Sequence, residues 1–323
     1  MTEGRSPSRA AVVVALLTVY VVWGSTYLGI AVVIQTMPPL LTAGVRYVVA
    51  GLIMLVGIVA FARLRPGAIR LERPTMAHWR SAVVIGLLLL LGGNGGVVLG
   101  ELFIPSGIAA VLLAMEPMWL AGIDGIITRR RPSALAVAGI LAGIVGVAVL
   151  VVPVKGLEGF DPVGVGLVLL AGVSWAAGSI YVRHASLPRS GALGTGMEML
   201  AGGCALLIGG VLLGEVGQTD VAAFSTESVV ALAYLVVFGS IIAFTAYTWL
   251  LANVPVSVVA TYAYVNPVVA VALGALILSE PITPRTLIAA AIIIGAVVAM
   301  VSGRTRETDA PGRASPAAAP EAN

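Results

Sequence analysis

The sequence predicts an all-α integral membrane protein with ten transmembrane helices, arranged as two inverted five-helix repeats with both ends in the cytoplasm. Three observations lead to this prediction. The chain of 323 residues is 59% hydrophobic and only 10% charged, whereas soluble domains carry about 25% charged residues. Its apolar residues form stretches long enough to cross a bilayer. Motifs of the first half also recur in the second half, which is typical of transporter folds.

The apolar stretches set the number of helices. A helix that crosses a hydrocarbon core about 30 Å thick needs about 20 apolar residues. Such stretches lie near 11–34, 39–62, 81–100, 106–127, 134–152, 163–182, 191–213, 229–250, 256–278 and 286–302. The first is longer than the core of a signal peptide, so we expect it to be retained. Residues 1–10 are predicted to be a cytoplasmic tail, and 303–323, rich in Pro, Ala and charge, a disordered cytoplasmic tail.

Basic residues predict the orientation, because cytoplasmic loops carry an excess of Lys and Arg. With the N-terminus inside, the inner segments hold fifteen of the 18 basic residues and the outer segments hold Lys155 and Arg285. Arg46 lies within a span. An even number of spans then places the C-terminus inside as well. The isoelectric point near 9.2 reflects this topology, so no nucleic-acid partner is predicted.

Short motifs indicate an internal duplication, with repeats at 11–153 and 162–302. GSTY at 24–27 matches GSIY at 178–181 (178 − 24 = 154), and PSGIAAVLLAMEP at 105–117 matches PVSVVATYAYVNP at 255–267 (267 − 117 = 150). Five spans per repeat is an odd number, so the second repeat must insert upside down. Inverted repeats are common in secondary transporters, which bind substrate near the bilayer midplane where the repeats meet.

Two proline-containing spans carry polar residues to that level. Glu116 lies ten residues after Ser106, which corresponds to a depth of about 15 Å at 1.5 Å per residue. Asn266 reaches the same depth from the other side, and Tyr262, one turn earlier, shares its face. Pro117 and Pro267 are predicted to kink these helices and to act as hinges. The alternative is that proline is simply frequent in transmembrane helices.

Three charged residues lie well inside spans, namely Arg46, Glu116 and Glu198. An unpaired charge there costs about 2.5–3.5 kcal/mol on insertion scales, so all three should face inward. Glu116 could bind a substrate amine or a proton, and Arg46 could be its counter-charge or a carboxylate ligand. The alternative is a structural ion pair. Glu198 lies at the mirrored depth of the second repeat and is interpreted as a charge partner.

Other polar and aromatic residues are candidates for the lining. Trp23 and Trp175 stand near the middle of the first span of each half, and Tyr27 follows Trp23 by one turn. Tryptophan at this depth could stack on a ligand or a cation. Asn94 lies in the glycine-rich stretch LLGGNGGVVLG, where it could donate to a substrate or join two helices.

The sequence contains no motif of an energy-coupling or catalytic site. GxxxxGK[ST], HExxH, GxSxG and a GxGxxG after a strand are all absent from the chain, so neither ATP use nor enzymatic activity is predicted. No catalytic residue, metal site or cofactor is predicted either. The expected partners are a small-molecule substrate, membrane lipid and, as a coupling ion, protons.

The order of several motifs resembles the EamA-domain transporters of the drug/metabolite transporter superfamily. They are WGSTYLGI at 23–30, PPLLTAGVRYVVAG at 38–51, PSGIAAVLLAMEPMW at 105–119, Trp175, TYAYVNPVVAVALG at 261–274 and SEPIT at 279–283. The resemblance implies ten helices in two inverted repeats, alternating access, and a lining drawn from Trp23, Asn94, Glu116, Trp175 and Asn266. One departure is that the Gly-Glu pair closing the fourth helix of a repeat reads Ser279-Glu280 in the second half but Thr128-Arg129 in the first.

We therefore predict a secondary transporter of the cytoplasmic membrane that exports small metabolites, with amino acids and related amphipathic compounds as the expected class. Two alternatives remain at this point. One is a membrane protein that binds a ligand as a sensor without moving it, and the other is a drug or lipid translocase of the same fold.

Overall fold

The computed structural model describes residues 8–65, 71–129, 134–151, 160–254, 256–259 and 261–309, and every regular element within these ranges is helical. The helices are α1 Arg9–Val33, α2 Pro39–Leu64, α3 Met76–Gly100, α4 Ser106–Leu113, α5 Glu116–Thr128, α6 Ala134–Val151, α7 Pro162–Val182, α8 Gly191–Leu212, α9 Glu215–Gln218, α10 226–253, α11 Val256–Val259, α12 Tyr262–Leu278 and α13 Pro284–Asp309.

The long helices have the composition of membrane spans. Seven stretches of the described chain are long and apolar enough to cross a bilayer, and three shorter apolar helices lie at Val137–Leu150, Val265–Leu278 and Pro284–Val298. Large apolar side chains such as Leu64, Leu170 and Leu276 are exposed on their outer surfaces, as expected where lipid is the solvent. All ten stretches coincide with spans predicted from the sequence.

Helices extend into both of the segments that were predicted as tails. Helix α1 begins at Arg9, because the Ser8 side chain accepts a hydrogen bond from the Ala11 N–H and caps the helix. Helix α13 continues to Asp309, past the predicted limit at 302. Residues 303–309 contain no proline, and the next proline along the chain is Pro311, so no residue before Asp309 has to end the helix. Residues 1–7 and 310–323 lie outside the described part of the chain.

Contacts between helix ends define one face of the bundle. Glu280, after α12, bonds to the first turn of α4, and Glu215, at the start of α9 just after α8, bonds to the first turn of α2. Ser228 at the start of α10 donates to the Val32 carbonyl oxygen at the end of α1. We call this end of the bundle, which also includes the end of α3, the Glu280 face.

Glu215 caps helix α2 from the other half of the chain. Its two carboxylate oxygens accept hydrogen bonds from the N–H groups of Leu40 at 3.0 Å and Leu41 at 2.8 Å, and its side chain is buried. These N–H groups have no partner within the helix, and a negative charge at a helix N-terminus is favourable. The contact therefore joins the two halves at the Glu280 face.

Glu215→Gln should lower the stability of the protein. Glutamine offers one acceptor in place of two and no charge, so one buried N–H group loses its partner at a cost of about 1–3 kcal/mol. Thermal unfolding in detergent should occur at lower temperature than for wild type. Glu227→Gln is the matched control, because Glu227 lies exposed on the same face; an equal loss in both variants would contradict the capping role.

Helices α2 and α8 touch backbone to backbone through glycines. A Cβ atom on Gly51 would lie 2.9 Å from both the Gly196 carbonyl oxygen and the Leu200 nitrogen, and one on Gly203 would lie 2.7 Å from the Val48 nitrogen. Such distances leave no room for a side chain. Within the described chain, the second helices of the two halves form the most extensive contact between the halves.

The third helix of each half contains a π-helical segment. Helix α3 is π-helical over Gly86–Gly95, and α10 is π-helical over Leu235–Ile242 between the α-helical stretches Thr226–Tyr234 and Ala243–Asn253. These segments begin 149 residues apart (235 − 86), close to the 150-residue offset of the proline motifs. π-helical turns inside longer helices are frequent at functional sites.

The predicted helix interruptions fall near both prolines. In the first half the helix breaks between Leu113 and Glu116, so that Pro117 lies in the first turn of α5, where its missing N–H is harmless. In the second half, α11 ends at Val259 and Pro267 lies inside α12. When the 150-residue offset between the repeats is subtracted, the two breaks lie about one helical turn apart. Hinge motion at either break stays a prediction.

Two equivalent helix ends adopt the left-handed conformation. Arg129 ends α5 with φ 53° and Ser279 ends α12 with φ 55°, and among the described residues they are the two non-glycine residues with positive φ. They are 150 residues apart (279 − 129). The structure therefore makes Ser279 the repeat partner of Arg129, one residue later than the pairing read from the sequence, and Glu280 the partner of Arg130, which lies outside the described residues.

Candidate functional site

A cavity lies in the middle of the bundle between the two halves, and the empty space within it and at its open mouth is about 910 Å³. Its walls come from α1, α2, α3, α4, α5, α7, α10 and α12. Most of the residues predicted from the sequence line it: Trp23, Tyr27, Arg46, Asn94, Glu116, Trp175, Tyr262, Asn266 and Pro267. Glu116 and Tyr262, which begin α5 and α12 just after the helix interruptions, line this cavity together with residues of both π-helical segments.

Arg46 brings a positive charge to the cavity without a carboxylate partner. The residue is 4% exposed, its Nε donates to Ser240 Oγ at 2.9 Å, and its guanidinium lies 4.7 Å from the centre of the Tyr47 ring. Within the described chain it forms no ion pair with Glu116, so the pairing that the sequence suggested does not occur here. A buried guanidinium held only by neutral groups leaves donors available for an anion.

Glu116 lies on the other side of the cavity beside aromatic rings. Its Oε2 accepts a hydrogen bond from the Tyr262 hydroxyl at 3.3 Å. The Tyr262 ring is 5.4 Å from Trp23 and 5.8 Å from Tyr247, and Trp23 is 6.1 Å from Phe244, measured between centroids. Aromatic faces beside a carboxylate suit a cation such as an ammonium group.

Side chains of the first helix of each half bond to carbonyl groups of the π-helical segments. Trp23 Nε1 donates to the Gly239 carbonyl oxygen at 3.2 Å, and Ser174 Oγ donates to the Leu88 carbonyl oxygen at 2.7 Å. A π-helical turn changes the ladder of backbone hydrogen bonds, and the side chains satisfy carbonyls that it releases. These reciprocal contacts fix the orientation of Trp23 in the wall.

Two amide side chains contribute hydrogen-bonding groups. Asn266 is buried, and with its nitrogen facing them it donates to the carbonyl oxygens of Tyr20 at 3.1 Å and Tyr262 at 3.2 Å. It therefore links α12 to the Tyr20 carbonyl group of α1. Asn94 Oδ1 is buried and has no partner among the described residues, which leaves an acceptor at the cavity wall.

The structure leaves two predicted residues outside the lining. Glu198 lies on α8, where its carbonyl oxygen is close to Gly86 of α3, and its side chain is partly exposed. Pro117 follows the lining residue Glu116 but does not itself line the cavity. Neither is brought to Arg46.

Sequence reasoning missed several lining residues, including Thr26, Tyr47, Gly239, Ser240 and Phe244. Ser240 is the most consequential, because it is the hydrogen-bond partner of Arg46. A usable signal was present: Gly239 and Ser240 interrupt an apolar span in the same helix of the second repeat that carries Asn94 among glycines in the first. The described residues contain no group of three or more His, Cys, Asp or Glu side chains that could hold a metal ion.

Comparison with known proteins identifies the family. The model of the EamA-like transporter family matches residues 10–152 and again 162–302. The chain belongs to the EamA-like transporter family. A curated member, the uncharacterized inner membrane transporter YedA of Escherichia coli strain K12, is 39% identical over 294 residues, which cover 90% of each chain. This EamA-like chain is accordingly a multi-pass transporter of the cell membrane, and transport implies a small-molecule substrate.

More distant relatives of this EamA-like protein span the same length. The probable amino-acid metabolite efflux pump of Salmonella typhimurium strain LT2 is 28% identical, with 90% of this chain and 95% of the pump covered. The uncharacterized transporter YvbV of Bacillus subtilis strain 168 is 25% identical, with 93% of each covered. One crystal structure superposes with a TM-score of 0.60 at 19% identity, over 94% of this chain and all of the other; that likeness bears on the fold alone.

Proposed function

We propose that this EamA-like protein is a secondary transporter that exports small amphipathic metabolites, with amino acids as the leading class. In this proposal ten transmembrane helices form two inverted five-helix repeats, at 11–153 and 162–302, with both ends in the cytoplasm. The repeats rock around the central cavity, which opens alternately to either side. The distribution of basic residues supports the orientation.

The observation that carries the substrate class is the separation of opposite charges in one cavity. Arg46 and Glu116 both line it, yet each is bonded to a neutral hydroxyl, of Ser240 and Tyr262, rather than to the other. An unpaired charge inside a membrane protein is costly and marks a substrate or ion site. A molecule with a carboxylate at one end and an ammonium group at the other would satisfy both charges.

Three features of the fold support alternating access between repeats. The π-helical segments occur in the third helix of each half, the left-handed helix ends Arg129 and Ser279 are 150 residues apart (279 − 129), and the first helices exchange hydrogen bonds with the opposite third helices. Each device occurs once per half, as expected for a duplicated unit. The name of the Salmonella relative, an amino-acid metabolite efflux pump, supports both the direction and the substrate class.

Counterflow in proteoliposomes tests the proposal. A pool of labelled amino acids and related metabolites is offered outside vesicles that contain the unlabelled pool, with wild type beside Glu116→Gln. We expect exchange by wild type and at least about a tenfold loss in the variant, because an ion-pair contact with a substrate ammonium is worth about 1.5–3 kcal/mol. Glu198→Gln, an acid in a span but outside the cavity, should exchange like wild type.

Other outcomes distinguish the alternatives. Saturable binding without exchange would contradict transport and favour a sensor. Equal exchange in Glu116→Gln and wild type would contradict a role for Glu116 in binding. Proton coupling through Glu116 stays a prediction, and it requires that pH-driven flux be lost in Glu116→Gln.

A further inference from the structure

A buried carboxyl group lies at the Glu280 face, outside the central cavity. Glu101 follows the last residue of α3, its side chain is 8% exposed, and neither Oε1 nor Oε2 has a hydrogen-bond partner among the described residues. The end of α3 is held tightly against α7, since a Cβ atom on Gly100 would lie 2.5 Å from Val168. Glu101 therefore has little room to turn toward solvent in this conformation.

The neighbouring acid, Glu280, is in the opposite situation. Its Oε1 accepts hydrogen bonds from the N–H group of Ser106 at 2.9 Å and from Ser106 Oγ at 2.8 Å, and its Oε2 accepts from the N–H group of Gly107 at 3.2 Å. Three donors and the N-terminus of α4 stabilise the charged form of a carboxylate. A Cβ atom on Gly274 would lie 2.3 Å from Glu280 Oε2, so the glycine gives this carboxylate its place.

Two titratable groups of the described chain interact electrostatically with Glu101. They are Glu280, from the connection between α12 and α13, and Tyr27, from α1. Arg285, the nearest cation along the chain from Glu280, directs its Nε to the Val149 carbonyl oxygen. Burial first, and then the proximity of Glu280, raise the pKa of Glu101 well above its ordinary value of 4.5.

We propose that Glu101 and Glu280 form a proton-binding site at the Glu280 face, in which Glu101 carries the proton and Glu280 carries the negative charge. A buried carboxylate that interacts electrostatically with a second, half-buried carboxylate is costly to ionise, and one proton on the buried acid removes that cost. The hydrogen-bond donors support this assignment. Glu280 accepts from three donors and carries the charge, whereas Glu101 accepts from none among the described residues and carries the proton.

The proton is bound while this face is closed. Helices α1, α3 and α4 carry a layer of buried apolar side chains toward the Glu280 face, namely Val33, Val98, Ile108 and Leu112, each no more than 4% exposed. Because Glu101 and Ser106 border this layer, separation of α3 from α4 and α12 would admit water to Glu101 and release its proton. This second step rests on the proposed alternating access, whereas the proton site itself does not.

Infrared spectroscopy tests the site without transport. Wild-type protein at neutral pH should show a carbonyl stretching band of a protonated carboxylic acid that is lost in Glu101→Gln. Glu101→Asp keeps a carboxyl group and should shift this band rather than remove it, so the assignment does not depend on one variant. Glu227→Gln, exposed on the same face, should leave the band unchanged. Spectra of wild type and Glu101→Gln that are identical in this region would overturn the proposal.

Stability should depend on pH in a direction fixed by the raised pKa of Glu101. The folded protein binds this proton more tightly than the unfolded chain, so its contribution to stability is complete below the ordinary pKa of 4.5 and is lost as the pH rises toward the folded-state pKa. The wild-type melting temperature should therefore fall with rising pH by more than that of Glu101→Gln, which cannot ionise. Equal pH dependence in the two proteins would contradict a bound proton.

Thiol labelling tests the link to opening of the face. In a Cys204→Ala background, which removes the exposed native cysteine, Ala109→Cys places a thiol at a fully buried position of α4. Its labelling by a membrane-impermeant reagent should be several-fold slower with Glu101→Gln, because glutamine mimics the protonated acid permanently, and unchanged with Glu227→Gln. Equal labelling with Glu101→Gln would overturn the link and leave the proton site intact.

Discussion

Exchange of labelled amino acids should fall by about tenfold to a hundredfold when Arg46 is replaced by glutamine. Arg46 is a buried cation of the cavity wall, with Nε committed to Ser240 and no carboxylate partner within the described chain. A charged hydrogen bond to a substrate carboxylate contributes about 1.5–3 kcal/mol, and each 1.4 kcal/mol is about a factor of ten in binding. The loss should appear as weaker binding and slower exchange.

The specificity of this effect can be measured with matched substrates. The amine analogue that lacks the carboxylate should bind wild type and Arg46→Gln equally, because it makes no contact with the guanidinium. Arg46→Lys should recover part of the exchange, since it restores the charge but not the planar pair of donors. Arg63→Gln, at the exposed end of α2, is the control on the same helix. An equal loss for both substrates would indicate that Arg46 supports the fold instead.

Gly51→Val should lower the melting temperature by about 2–12 °C. The added side chain would meet the Gly196 carbonyl oxygen and the Leu200 nitrogen at 2.9 Å, and backbone atoms cannot move aside as a side chain can. Overpacking costs about 1–3 kcal/mol or more, and each kcal/mol corresponds to about 2–4 °C in a protein of about this size.

Gly57→Val is the control on the same helix, because nothing lies within 4 Å of the Cβ position at Gly57. It introduces the same residue into α2 and should leave the melting temperature unchanged. A similar loss in both variants would contradict the role of the contact between α2 and α8, since valine is a better helix former than the glycine it replaces.

The sequence predicted the helices well because lipid imposes a simple rule on composition. Each described apolar helix coincides with a predicted span, since a stretch such as 39–62 has no other place to bury its residues. The sequence predicted the same depth for Glu116 and Asn266, on helices expected to enter from opposite faces, and the structure brings both residues to the same cavity.

What the sequence could not reveal depends on contacts between distant segments. Arg46 and Glu116 are of opposite charge, yet the partners found are Ser240 and Tyr262, because rotation of each helix decides which group a side chain reaches. Glu198 is at the mirrored depth of Arg46 but lies on a side of α8 away from the cavity. Glu101 was not predicted as a site residue, because charged residues are common at the ends of membrane spans. Its burial depends on the packing of α3 against α7.

The π-helical segments of α3 and α10 have a mechanical consequence. A turn that holds one extra residue can pass along a helix by exchanging hydrogen bonds one at a time, without the helix coming apart. Each step turns the side chains that it passes by about 100°, the angle of one residue in an α-helix. Asn94 and Ser240 stand on these segments. A shift of either π-helical turn by one residue would therefore change which side chains of that helix face the cavity, without moving the ends of the helix.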